Sequence, residues 1–106
     1  MTEQESNYVH EFYVAGVKFH ELHTVIKEVE KGEILMMEPE PTNKYDSNAI
    51  KILRNGVIVG YVPAKLAASV LASMEVSSVT CVVTGIVPSA KPWEQLKVGI
   101  EEAYDA

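Results

Sequence analysis

Short β-branched and alternating apolar runs dominate this chain, and helical spacing interrupts them in two places. Tyr8 to Gly16 (Tyr-Val-His-Glu-Phe-Tyr-Val-Ala-Gly) is rich in aromatic and β-branched residues and predicts a first strand ending at Gly16. Leu22, Val25, Ile26 and Val29 then recur at helical spacing, and Gly32 follows Lys31 where a C-cap glycine belongs. Together they predict a helix over about residues 21–31. Glu33-Ile34-Leu35-Met36-Met37-Glu38 is too short for another good helix and predicts a buried strand, stopped by Pro39 and Pro41, which cannot donate a ladder hydrogen bond.

Residues 40–48 are polar and full of turn formers. Ala49-Ile50-Lys51-Ile52-Leu53-Arg54 alternates as a half-buried strand, and Asn55-Gly56 is a strong hairpin signal because both residues tolerate the positive φ of a type I′ turn. Val57 to Val62 is the return strand. Pro63 opens a helix at its first position, where a missing N–H costs nothing, with Leu66, Val70, Leu71 and Met74 as its buried stripe and Ala67, Ala68 and Ala72 allowing close packing. Val76 to Val87 predicts a long strand bending near Gly85, and Leu96 to Ile100 a last alternating strand after the loop at residues 88–92. The expected fold is mainly β with two short helices: a small six-stranded barrel, closed or partly open.

Composition narrows the class. At 106 residues there is room for one domain with a single core, and 47% hydrophobic with 23% charged residues is ordinary for a folded protein. No apolar run approaches the roughly 20 residues of a membrane span. The acidic, polar start, Met1 to Asn7, is unlike a secretory signal. The one cysteine, Cys81, lies in Val79-Thr80-Cys81-Val82-Val83, which suggests a buried, unreactive thiol. The chain reads as cytoplasmic.

A net charge of -6 stands at first against nucleic acid, but its distribution changes the picture. Six of the fifteen acids sit at the ends: Glu3, Glu5 and Glu11, then Glu101, Glu102 and Asp105, with no Lys or Arg among them. The remaining nine acids match nine Lys plus Arg, so the body is neutral. Such a surface suits stacking and hydrogen bonding to a nucleotide rather than gripping a long duplex by charge.

No phosphate loop, nucleophile elbow or His-Glu-x-x-His pair occurs, so no catalysis is expected. His20 and His23 lie three apart on the predicted first helix, but one cysteine and a distant His10 leave a metal shell unfilled, and solvent-facing histidines are the expectation. No cofactor is expected. The segment Glu38 to Ile50 holds one aromatic, Tyr45, with Asp46 and the amides of Asn43 and Asn48, after two prolines. Chemically it admits two readings. Tyr45 can offer a π-face to a base, Asp46 can accept from sugar hydroxyls, and Asn43 can meet a base edge or phosphate. Alternatively, Asp46 and Asn48 are Asx-turn residues and Tyr45 plugs one barrel end, the commoner use of such loops.

The run Asn43-Lys44-Tyr45-Asp46-Ser47-Asn48-Ala49-Ile50 resembles the Asn-x-Tyr-Asp-x-Asn-Ala-Ile signature of the HIRAN domain. The flanking order is similar too: Ala15-Gly16-Val17-Lys18-Phe19 and Gly32 to Pro39 upstream, Asn55-Gly56 and Gly60-Tyr61-Val62-Pro63 downstream. The resemblance covers residues 12–100, leaving residues 1–11 as an acidic extension and 101–106 as an acidic tail. It implies an OB-like β-barrel with two helices, of the kind found in SNF2-type translocases and in small stand-alone bacterial and phage proteins. In a translocase that carries it, the domain captures the 3′ end of single-stranded DNA.

Carried onto this chain, the resemblance implies that Tyr45 stacks on a base, Asp46 accepts from the terminal hydroxyl and Asn43 contacts the strand beside them. It further implies that Lys18 meets a phosphate, Phe19 stacks, Tyr61 keeps a ring with a polar tip, and Trp93 adds a stacking face. Two departures reduce the charge on offer. Lys18 stands for an arginine and lacks its bidentate fork, and Ala64 takes a position where a basic residue is expected, with Lys65 one place off.

The leading expectation is therefore a non-enzymatic module binding single-stranded DNA at its 3′-hydroxyl end, in DNA repair or processing, with a helicase, translocase or other protein as a further partner and no membrane. The alternative is a protein-interaction module of the same fold that has lost DNA binding.

Overall fold

The computed structural model describes residues 8–17 and 22–103. Strand β1 (Tyr8–Tyr13) leads to helix α1 (Leu22–Val25), which tightens into a 3₁₀ turn at Ile26–Glu28. Then come β2 (Ile34–Pro39), β3 (Ile50–Arg54), β4 (Val57–Tyr61), helix α2 (Ala64–Val76), β5 (Ser78–Ile86) and β6 (Leu96–Ala103), the last preceded by a 3₁₀ turn at Pro92–Glu94. All six strands pair antiparallel in one sheet of order β1-β6-β5-β2-β3-β4. This is the expected OB-like barrel of six strands with two short helices.

The sheet curls until its two outermost strands meet. Ala15, just past β1, and Tyr61, the last residue of β4, exchange main-chain hydrogen bonds of 2.8 Å in both directions. Irregular registers at Ile52/Leu53 and at Val83/Gly85 add local twist to the curl. At the seam the chains approach so closely that a Cβ on Gly60 would lie 2.4 Å from Val14 Cγ1 and 2.5 Å from the Ala15 carbonyl oxygen. Only glycine fits there.

Inward-facing residues of every strand fill the interior, with Ile50, Ile52, Val59, Val98 and Ile100 fully excluded from solvent. Each such side chain contributes roughly 1.5–3 kcal/mol through burial. Leu22, Ile26 and Val29 close one side of the core, as their spacing predicts, and Cys81 is buried within it. Burial pushes the Cys81 thiol up to about 12, which keeps it protonated and inert.

Several boundaries differ from expectation for identifiable reasons. The first helix ends at Glu28, not near residue 31, because Val29 is already extended (φ −77°, ψ 134°). Its β-branched Thr24, Val25 and Ile26 support a long helix poorly. Gly32 has the positive φ of a cap but serves a turn instead, donating its N–H to the Val83 carbonyl at 2.8 Å. Pro39 lies inside β2, opposite Ile50. The next N–H, that of Glu40, points to β3, so by alternation the proline nitrogen faces away, where pairing with β5 has ended. Pro63 precedes the first turn of α2 rather than opening it. The deepest residues of that helix are Ala67 and Val70, while Leu66, Leu71 and Met74 pack at its margins. Val76 belongs to α2, so β5 begins at Ser78. Strand β6 runs on to Ala103, since ladder bonds from β5 to Glu101 and Glu102 require no apolar side chain.

The seam yields a stability prediction. Gly60→Ala should lower unfolding free energy by about 1–3 kcal/mol through forced displacement of Val14 and the Ala15 backbone. Gly85→Ala, whose Cβ would meet only Lys97 Cβ at an ordinary 3.5 Å, should be near neutral. Urea denaturation of the two variants checks the contrast.

Candidate nucleic-acid interface

The connection from β2 to β3 is built by its own polar groups. The Asn43 N–H donates to the Glu40 carbonyl at 2.9 Å, and Asn43 Oδ1 accepts from the N–H groups of Tyr45 (2.9 Å) and Asp46 (3.0 Å). Asp46 Oδ1 then accepts from the Asn48 N–H at 2.9 Å, and the Ala49 N–H returns to the Asp46 carbonyl at 3.0 Å. These successive Asx turns explain why amide and carboxylate side chains recur at this spacing. Among the described residues, Asp46 Oδ2 has no hydrogen-bond partner, so it can accept from a ligand hydroxyl.

Glu40 ties the loop to the barrel. Its Oε1 accepts from Asn43 Nδ2 at 2.8 Å and from the Tyr61 hydroxyl at 2.7 Å, while Oε2 lies 3.8 Å from Lys51 Nζ. Burial, and then the Glu40 carboxylate beside it, push the Tyr61 hydroxyl up to about 12. Tyr61 is therefore a neutral donor at physiological pH, its ring fixed by its hydroxyl and its backbone by the seam.

Together these elements surround a cavity of about 480 Å³ lined by Ala15, Gly16, Asn43, Tyr45, Asp46, Ala49, Tyr61, Val62 and Ala64. Small apolar residues form its walls, and the polar groups come from Asn43, Asp46 and Tyr61. Of the residues singled out in the sequence, Asn43, Tyr45, Asp46 and Tyr61 thus meet at one place. Both ends of the Asn43 amide are engaged within the site, so this residue shapes the loop. Tyr45 does not plug the barrel: the turn directs its ring outward, where it is 88% exposed with Lys44 Nζ 5.9 Å from its centroid. Trp93 is not among the lining residues. It stands on the 3₁₀ turn before β6, 57% exposed, with Lys91 Nζ 5.6 Å from its ring. Lys18, Phe19 and His20 lie outside the described residues.

Glu40 was not singled out in the sequence. Its position between Pro39 and Pro41 is the only local signal, and its partners Tyr61 and Lys51 are distant in the chain. Electrostatically the site is modest. The single arginine, Arg54, is held by the carboxylates of Glu28 and Glu33 and by the Glu28 carbonyl, and Lys51 is paired with Glu38 at 3.0 Å. Ala64 presents a methyl wall where a cation was expected. Among the described residues no group of three or more His, Cys, Asp or Glu could hold a metal ion, and no helix is long and apolar enough to cross a membrane.

A small antiparallel barrel with a preorganised polar loop beside its seam defines a binding domain. The HIRAN domain profile matches residues 7–102, and the chain belongs to that family. Two solved structures share its fold. A protein from Lactobacillus plantarum superposes with a TM-score of 0.78 at 17% identity, over 92% of this chain and 95% of that one. The HIRAN domain of human HLTF superposes with a TM-score of 0.63 at 21% identity, over 90% of this chain and 73% of that one. No match is found among curated proteins.

The Glu40–Tyr61 contact has a pH signature. Glu40→Gln removes the neighbouring charge, so the Tyr61 hydroxyl should titrate below its present value of about 12, yet above the ordinary 10 because burial remains. NMR of ring-labelled tyrosine follows that midpoint. Because the folded pKa is raised, this contribution to stability is complete below pH 10 and is lost as pH rises through about 12. Denaturant midpoints across that window should fall less steeply in the variant.

Proposed function

We propose that this HIRAN domain binds the 3′-hydroxyl end of single-stranded DNA in the cavity beside Tyr61, in DNA repair or processing in the cytoplasm, alongside a helicase or translocase that supplies motor activity. Membership of the HIRAN family supports a nucleic-acid-binding role. The observation that carries the strand-end reading is the pairing of Tyr45 with Asp46. A large aromatic ring is held out in solvent by the loop's own hydrogen bonds, next to a carboxylate whose Oδ2 is directed to no described group. A ring so exposed contributes nothing to the core and suits stacking on an unpaired base. A carboxylate accepts from a hydroxyl and repels a phosphate, which suits a free 3′ end over a 3′-phosphorylated one. Lys18 and Phe19 enter this reading through the family resemblance, as a phosphate contact and a second stacking ring.

A second reading, a protein-interaction module, draws on Ile34 and Met36 on the outer face of β2, each 66% exposed and in line along one strand face. A partner retained after nuclease treatment and lost on Met36→Glu, with no oligonucleotide binding at low salt, would favour it.

The strand-end reading predicts that Tyr45→Ala weakens binding of a 3′-hydroxyl oligonucleotide by about 1–3 kcal/mol with the fold intact. Asp46→Asn keeps the Asx-turn acceptor but loses the charge, so it should narrow the preference for 3′-hydroxyl over 3′-phosphate ends. Calorimetric titration with the two strand types measures both, and equal wild-type affinity for the two ends would overturn end recognition.

A further inference from the structure

Beyond the cavity two further aromatic–lysine pairs are exposed, one on β1 and β6 and one at the 3₁₀ turn before β6. Tyr13 is 46% exposed, and Lys97, its partner across the ladder, holds Nζ 5.6 Å from the ring centroid. On the other side of Lys97 stands Gly85, which has no side chain to pack against it. Four residues before Lys97, Trp93 is exposed beneath Lys91 Nζ at 5.6 Å. The ladder sets both pairs near the Ala15 end of the cavity: as β1 runs from Tyr13 opposite Lys97 to Val14, whose N–H bonds to the Leu96 carbonyl, β6 runs back toward the turn that bears Trp93. Tyr13 and Ala15 are two residues apart on either side of the buried Val14, so they turn to the same face about 7 Å apart, and Ala15 is part of the cavity wall. Ring faces flanked by ammonium groups are what a sequence-tolerant single-strand surface requires, with stacking for the bases and point charges for the phosphates.

We propose that a single strand seated in the cavity continues over these two pairs, its next bases stacking on Trp93 and Tyr13, with Lys91 and Lys97 meeting its phosphates. The proposal rests on the strand-end reading of the cavity. With the 3′ terminus held by Asp46, the nucleotides on this track are those on its 5′ side. Two carboxylates adjoin the track: Glu11, 4.0 Å from Lys97 Nζ, and Glu94, next to Trp93 in sequence. Both members of the Glu11–Lys97 pair are well exposed, so solvent screens the pair and a phosphate can replace the carboxylate.

Trp93 is the only tryptophan in the chain, so its fluorescence reports occupancy of the track directly. The full chain is titrated with thymidine dinucleotide and hexanucleotide, and the Tyr45 and Asp46 amide shifts report cavity occupancy in parallel. The dinucleotide should shift those amides without changing Trp93 emission, whereas the hexanucleotide should do both. Tyr13→Ala should weaken the hexanucleotide by roughly 5- to 100-fold and leave the dinucleotide unchanged. Lys91→Gln with Lys97→Gln should reduce the salt dependence of hexanucleotide binding by about 0.7 per lost contact on a log–log plot. Amide spectra confirm that each variant is folded. If the dinucleotide binds while the hexanucleotide leaves Trp93 unchanged, or Tyr13→Ala binds both as wild type, the track is overturned and the cavity stands. If neither oligonucleotide shifts Tyr45 and Asp46, the cavity reading fails and the track falls with it.

Discussion

Two main-chain hydrogen bonds between Ala15 and Tyr61 hold together everything that matters for binding in this domain. An open six-stranded sheet would leave β1 and β4 as edges with unpaired donors and acceptors, and its inner face could not be fully covered. Joining those edges encloses the apolar interior and fixes the ends of both strands at one point. The cavity lies at that point. Its walls come from Ala15 and Gly16 on one side of the seam and from Tyr61, Val62 and Ala64 on the other. The contact depends on Gly60, because any side chain there would collide with Val14 and the Ala15 carbonyl. Fold closure and pocket geometry are therefore one constraint, and a change at the seam would be felt in both.

Onto this frame the β2–β3 loop is fastened by Glu40. Its carboxylate takes the Tyr61 hydroxyl and the Asn43 amide on one oxygen, and Asn43 in turn organises the backbone of Tyr45 and Asp46. The chain of direct contacts runs from the seam to the most exposed aromatic ring among the described residues. A loop ordered in advance loses little conformational entropy when a ligand arrives, so more of the energy of any contact it makes appears as affinity. The raised Tyr61 pKa expresses the same arrangement: a half-buried hydroxyl donating to a carboxylate has little tendency to ionise.

Features written in neighbouring residues were legible in the sequence. Asn55-Gly56 makes its hairpin with positive φ at both positions, and Asp46 makes its Asx turn, because each needs only partners a few residues away, although the other Asx turn is made by Asn43 and not, as expected, by Asn48. Six strands and two helices followed from periodicity. Features that depend on distant partners were not legible. Glu40 looks like one more loop acid until Tyr61, 21 positions on, is brought beside it. The direction of the Tyr45 ring, into the barrel or out of it, turns on the same tertiary contacts. Pro39 reads as a strand stop unless one knows that β5 no longer pairs at that point.

The charge distribution explains what kind of nucleic-acid ligand this architecture suits. Arg54 and Lys51 are committed to carboxylates, and Ala64 lines the cavity with a methyl group. Duplex binding depends on neutralising many phosphates at once, and its affinity falls steeply with salt. A surface of few cations and net charge -6 is poorly equipped for that. Stacking on Tyr45 requires a base already free of its partner, and a base at a strand end is the cheapest to unstack. On the proposed strand-end reading, weak electrostatics would work as a filter: a long duplex would offer this domain few compensating contacts, while a single-stranded terminus would offer a ring face and a hydroxyl to Tyr45 and Asp46.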